Sequence, residues 1–130
     1  MSEFSFDAKI QKLDEERQLC FGWFSVVEDS NGVVEDHEGD IIKSEDLEEA
    51  AYQFVIDARI AGENHLRKGV GVLVESMMFT KEKQEMLGID LQKVGWWGGF
   101  KITDEDVWAK VKSGEFQSFS IGGRGDREEI

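Results

Sequence analysis

The sequence contains the stretch GEFQSFSIGGRGDREEI, residues 114–130, in which Ser118 and Ser120 alternate with aromatic and aliphatic residues and two glycines follow. A serine hydroxyl is a weak nucleophile until a base takes its proton, and histidine is the usual base near neutral pH. The chain has two histidines, His37 in EDHEGD and His65 in GENHLRKGVG. Gly122 and Gly123 lack a Cβ, so the backbone there can turn its N–H groups toward a developing oxyanion. Together these residues could carry out nucleophilic acyl transfer. The plainer alternative is that both serines decorate the polar side of a strand and both histidines sit at the surface. The stretch is not a nucleophile elbow, which needs Gly-x-Ser-x-Gly between a strand and a helix. Ser118 takes the place of the first glycine, and no helical pattern follows. A nucleophile here would stand on a strand.

Other chemistries find less support. EDSNGVVEDHEGD, residues 28–40, concentrates acids around His37. Its spacing departs from the calcium-binding loop after Asp29, and a solvated acidic loop accounts for it. His37, His65 and Cys20 lack the helical or knuckle spacing of a zinc site, so neither a metal nor another cofactor is expected. Trp96 and Trp97 point to opposite faces of a strand, so only one could stack on a ligand; core and interface roles suit them better. Arg124 to Asp126 spell an adhesion tripeptide, a chance match in a chain without a secretion signal.

These residues must be held by a scaffold. The 130 residues fit one domain, 1–130, with a single modest core. Asp and Glu number 28 against 15 Lys and Arg, a net charge of −13 that disfavours nucleic acid as a partner. The lone Cys20 excludes an intrachain disulfide and fits a reducing compartment. MSEFSFDAKI is no signal peptide, and no apolar run is long enough to span a membrane. In FSFDAKI the period is two, a half-buried strand. QLCFGWFSVV is apolar on both faces, so the two read as a hairpin with a central second strand. The acidic stretch that follows reads as a loop. Ser44 is placed as the N-cap of a helix whose Leu47, Ala50, Ala51, Phe54, Val55 and Ala58 share one face, with Gly62 as its stop. A strand over about 70–79 and a short helix in TKEKQEMLGID come next. KVGWWGGFKI reads as a strand interrupted by glycines that mark a bulge or a close backbone approach. Thr103 is expected to cap a helix ending at Gly114, before a last strand in FQSFSIGG. The fold class is α+β: a small, mostly antiparallel, β-barrel-like sheet with two or three flanking helices.

FGWFSVV (21–27), DHEGD (36–40), GENHLRKGVGVLVESM (62–77), VGWWGGFKI (94–102), VWAKVKSGE (107–115) and FSIGG (119–123) occur in an order that resembles a phage serine protease family. That family is related to the prohead, or head maturation, proteases, which are similar in fold to the herpesvirus assembly proteases. The resemblance runs from about residue 4 to 127. It implies a serine endopeptidase that trims scaffold and capsid protein in an immature phage head. Ser120 would be the nucleophile and His65 the base, with Ser118 a neighbour. Gly122 and Gly123 are oxyanion-site candidates on their geometry, not from the family. Proteases of this fold take a base-orienting residue from chain beyond the nucleophile. Here ten residues follow Ser120, and Asp126, Glu128 and Glu129 are the candidates, with Glu75 an alternative. The implied partners are phage scaffold and capsid proteins; nucleic acid and membrane are not expected, and a homo-oligomer stays open. The implied location is the host cytoplasm or the procapsid interior. A catalytically inactive assembly module that docks through its acidic surface stays open beside the enzyme.

Overall fold

The computed structural model describes residues 5–34, 41–61 and 71–122, with side chains over 9–34, 41–57 and 71–118. In chain order the elements are β1 (Ser5–Lys9), β2 (Lys12–Asp14), β3 (Leu19–Asp29), β4 (Gly32–Val33), α1 (Ser44–Ala61), β5 (Gly71–Phe79), α2 (Lys81–Leu87), β6 (Val94–Ile102), α3 (Glu105–Ser113) and β7 (Ser118–Gly122). Two antiparallel sheets result. The larger runs β2-β3-β6-β5 with β4 added to β3, and the smaller is the ribbon β1-β7. The class is α+β as expected, but the larger sheet stays open and does not close into a barrel.

The expected hairpin of β1 with β3 does not form. The partner of β1 is β7, from the far end of the chain, and the hairpin belongs to the short β2, which pairs with β3 from Lys12↔Phe21 to Asp14↔Leu19. Asp14 closes its turn by accepting from the Arg17 backbone N–H at 3.0 Å and from its Nε at 2.8 Å. β3 is central, between β2 and β6. It then turns into β4, so Gly32 and Val33 form a hairpin where a loop was expected. Val33 itself remains exposed.

On β3 the buried positions run Cys20, Gly22, Phe24 and then Val27. The step of three is taken up by a bulge between Trp23 and Ser25, and a second follows between Val26 and Glu28. β6 is unbroken, and its glycines mark close approach. A Cβ on Gly98 would land on the ring of Phe24 and 2.8 Å from the Glu75 carbonyl oxygen. Phe24 can therefore lie across the sheet, with ring centroids 5.0 Å from Trp96 and 5.5 Å from Phe100. Phe54 of α1 meets Trp96 edge-on at 5.5 Å. These rings, with Cys20, Leu47, Ala51, Met78 and Ile102, make the core. The indole N–H of Trp96 is satisfied inside it, donating to the Ser76 hydroxyl at 2.8 Å. Edge-to-face aromatic pairs add about 0.5–1.5 kcal/mol each beyond their area burial.

The helices follow their apolar stripes, with shifted caps. Leu47 N–H donates to Lys43 O, so Lys43 is the N-cap of α1 and Ser44 the first helical residue. The expected stop, Gly62, lies outside the described residues. Asp104, not Thr103, caps α3, accepting from Val107 N–H at 3.0 Å. The Asp104 side chain both caps the Val107 N–H and complements the positive helix end. Gly114 ends α3 in the left-handed region as expected.

Candidate active site

Ser120 lies on β7, which the chain enters from α3 through Gly114. Phe116 fixes that entry. Its N–H donates to Lys110 O at 3.0 Å, Lys110 Nζ stands 5.3 Å from its ring centroid, and the ring packs on the core. β7 then pairs with β1 in the register Lys9↔Ser118, Asp7↔Ser120 and Ser5↔Gly122. Ser118 and Lys9 are exposed, so the ladder's edge at this register faces water.

The ribbon is tied to the larger sheet where β1 ends. Ile10 N–H donates to Gln117 O at 2.9 Å, and Gln11 N–H donates to Phe21 O at 2.8 Å. Gln11 also accepts from Trp23 N–H through Oε1 at 2.9 Å. The chain crosses β3 so closely at this point that a Cβ on Gly22 would overlap the Lys9 carbonyl oxygen. Ser120 is thus displayed on a two-stranded ribbon with fixed attachments at Gln11 and Phe116.

The structure brings Ser118, Ser120 and Gly122 onto this ribbon. His65, Gly123, Asp126, Glu128 and Glu129 lie outside the described residues, as does His37. Glu75 is on β5, in the larger sheet, exposed and just past the bulge between Leu73 and Glu75. The register adds a residue that sequence reasoning missed, because Asp7 stands opposite Ser120 in the ladder. Its signal was present: SFDAK and SFSIG both alternate small or polar residues with apolar ones, the pattern of two strands that share faces.

Other groups are accounted for structurally. Cys20 is buried, and that burial pushes its thiol up to about 12, so it is no nucleophile. Trp96 belongs to the core. Trp97, on the other face, packs edge-on against Trp23 at 5.6 Å. A cavity of about 270 Å³ opens between β3, α2 and the start of β6, lined by Glu28, Lys81, Gln84, Asp90 and Lys93 among others. Neither Ser118 nor Glu75, the candidates whose side chains are described, lines it. Among the described residues no cluster of His, Cys, Asp and Glu could hold a metal ion, and no helix is long and apolar enough to cross a membrane.

Over residues 7–129 the sequence matches the protein family described as "Putative phage serine protease XkdF". The chain belongs to that family. The sequence resemblance to a phage serine protease family anticipated this membership. Among curated proteins, the chain is 29% identical over 127 residues to "Phage-like element PBSX protein XkdF" of Bacillus subtilis (strain 168), covering 94% of this chain and 44% of that protein. It is 32% identical over 115 residues to "Uncharacterized protein YqbD" of the same organism, covering 88% of this chain and 34% of that one. The chain therefore spans less than half the length of these family relatives. No solved structure matches it.

Proposed function

We propose that this chain is a serine endopeptidase domain of phage head maturation, acting on scaffold or capsid protein inside the host cytoplasm or the procapsid. The observation that carries the reading is the family match over 7–129, which contains both His65 and Ser120. Ser120 Oγ attacks the peptide carbonyl while His65 takes its proton. Backbone N–H groups at Gly122 and Gly123 receive the oxyanion. The tetrahedral intermediate collapses, His65 protonates the leaving amine, and water attacks the acyl-enzyme by the same route in reverse. The base needs an orienting carboxylate, and Asp7 joins Glu75, Asp126, Glu128 and Glu129 as a candidate on the strength of its register with Ser120.

Covalent labelling with a fluorophosphonate probe, followed by peptide mass spectrometry, tests this reading. Labelling is expected at Ser120 and is expected to vanish in Ser120→Ala and to collapse in His65→Ala. Labelling elsewhere, or labelling indifferent to His65, would overturn it. A second reading, a catalytically inactive assembly module, draws on the net charge of −13. It predicts no labelling, and phage assembly that tolerates Ser120→Ala.

A further inference from the structure

Ten large apolar side chains are exposed among the described residues, and four of them fall within six consecutive positions. Met86 is 79% exposed, Leu87 56%, Ile89 42% and Leu91 38%. They crowd the end of α2 and the turn that follows, a run we call the ridge. Scattered exposed apolar residues need no explanation, but a contiguous set marks an interaction surface.

The ridge is held rigidly. Gln84, a buried polar side chain, donates through Nε2 to Lys93 O at 2.7 Å and Phe79 O at 3.2 Å, and accepts from Leu91 N–H at 2.9 Å. Gly88 ends α2 in the left-handed region, and Ile89 N–H closes back on Gln84 O at 3.0 Å. Asp90 accepts from the N–H of Gln92, which itself sits at φ 60°. A surface fixed in advance gives up little conformational entropy when it docks.

Charge identifies what it docks. Lys81 is paired with Glu28 at 2.9 Å and Lys83 with Glu48 at 2.8 Å. Glu82, Glu85 and Asp90 are exposed around the ridge; Glu85 also acts on Lys81 one helical turn away, which leaves the acids in excess. We propose that this ridge docks an apolar helical segment flanked by Lys and Arg on a partner protein. A second copy of this chain fits less well, because a two-fold interface sets the same acidic patch on both sides in a chain already at −13. An anionic lipid surface would be repelled by the same carboxylates. The surface lies on α2 and does not depend on catalysis by Ser120.

The test uses the full chain and two labelled synthetic helices, both with Leu along one face, one with Lys and the other with Glu elsewhere, followed by fluorescence anisotropy. The Lys helix is expected to bind, and the Glu helix is not. The double variant Met86→Ser, Leu87→Ser, neutral in charge, should weaken binding by about tenfold or more with its circular dichroism unchanged. Glu82→Gln with Glu85→Gln should weaken binding at low salt and flatten its salt dependence. Ser120→Ala should bind as wild type, which separates this result from the fate of the catalytic reading. The proposal is overturned if neither helix binds, if both bind equally, or if the folded serine variant binds as wild type. Sedimentation showing a reversible dimer that the serine variant dissociates would assign the ridge to self-association instead.

Discussion

The substitution Gly22→Ala probes the attachment on which the site depends. The added Cβ would overlap the Lys9 carbonyl oxygen and lie 3.2 Å from its carbon and 3.6 Å from Gln11 N. All three atoms are backbone, so no rotamer change relieves them. Ordinary contact returns only if β1 lifts by about 1 Å. That movement strains the bonds Gln11 makes to Phe21 O and from Trp23 N–H. Overpacking of this kind costs about 1–3 kcal/mol, and two weakened hydrogen bonds add about 1–2 kcal/mol. The stiffer unfolded chain returns about 0.4–1 kcal/mol. The net loss is about 2–4 kcal/mol, a fall in Tm of roughly 10 °C for a domain of this size. Gly114→Ala is the control. Nothing lies within 4 Å of its Cβ, but φ is +88°, so it should cost only about 1–2 kcal/mol and leave β1 seated. Urea unfolding followed by tryptophan fluorescence measures both. Because β1 pairs with β7, Gly22→Ala should also slow fluorophosphonate labelling of Ser120 beyond its unfolded fraction. An unfolding midpoint equal to wild type, or no lower than that of Gly114→Ala, would refute the argument that β1 is clamped on β3.

Two further outcomes follow from charge and burial. Lys83 donates to Glu48 at 2.8 Å, to the Tyr52 hydroxyl at 2.9 Å and to Met78 O at 3.1 Å. The Lys83 hydrogen bond holds the Glu48 carboxyl below its usual range; its contribution is present above the ordinary Glu value and is lost as pH falls through the depressed folded one. Burial opposes the charge on Lys83, but its bonds to Glu48 and Tyr52 outweigh this and raise it. That contribution is complete below the ordinary Lys value and is lost as pH rises through the raised folded one. Lys83→Met should flatten both limbs of a stability-versus-pH curve and cost about 1–2 kcal/mol at neutral pH; unchanged limbs would discount the network. Cys20, with 0% exposure and its thiol pushed up to about 12, should resist a disulfide reagent at about pH 8 in the native protein and react at once in urea.

Local elements were legible because their signals are local. The stripe of α1, the left-handed stop at Gly114 and the glycines of β6 as sites of close approach all follow from period, cap chemistry and side-chain size. What sequence did not disclose was pairing. FSFDAKI precedes the apolar run of β3 by a few residues, and proximity favours a hairpin. The three-residue β2 took that place because Leu13 opposes Cys20 and joins the core, while Asp14 with Arg17 closes the turn. β1 was thereby released to β7, a partner more than a hundred residues away whose loop-closure cost no local pattern records.

The same non-local step decides how the candidate site can be read. Ser120 and its glycines form a local motif, and the sequence marked them; the carboxylate beside a nucleophile is a cross-strand property. A search confined to chain beyond Ser120 yields Asp126, Glu128 and Glu129, but the ladder presents Asp7, from a segment read only as a half-buried strand. The polar parity of that strand, Ser5, Asp7 and Lys9, has no use in a hairpin with β3, whose faces are both apolar. It acquires one only opposite Ser118, Ser120 and Gly122. Polar alternation left unexplained by the nearest strand is therefore evidence for a distant partner. If Asp7 orients the base, Asp7→Asn should depress Ser120 labelling least at low pH, because losing the carboxylate also makes the imidazole give up its proton more readily. Equal depression across the pH range would reduce Asp7 to a strand-pairing role.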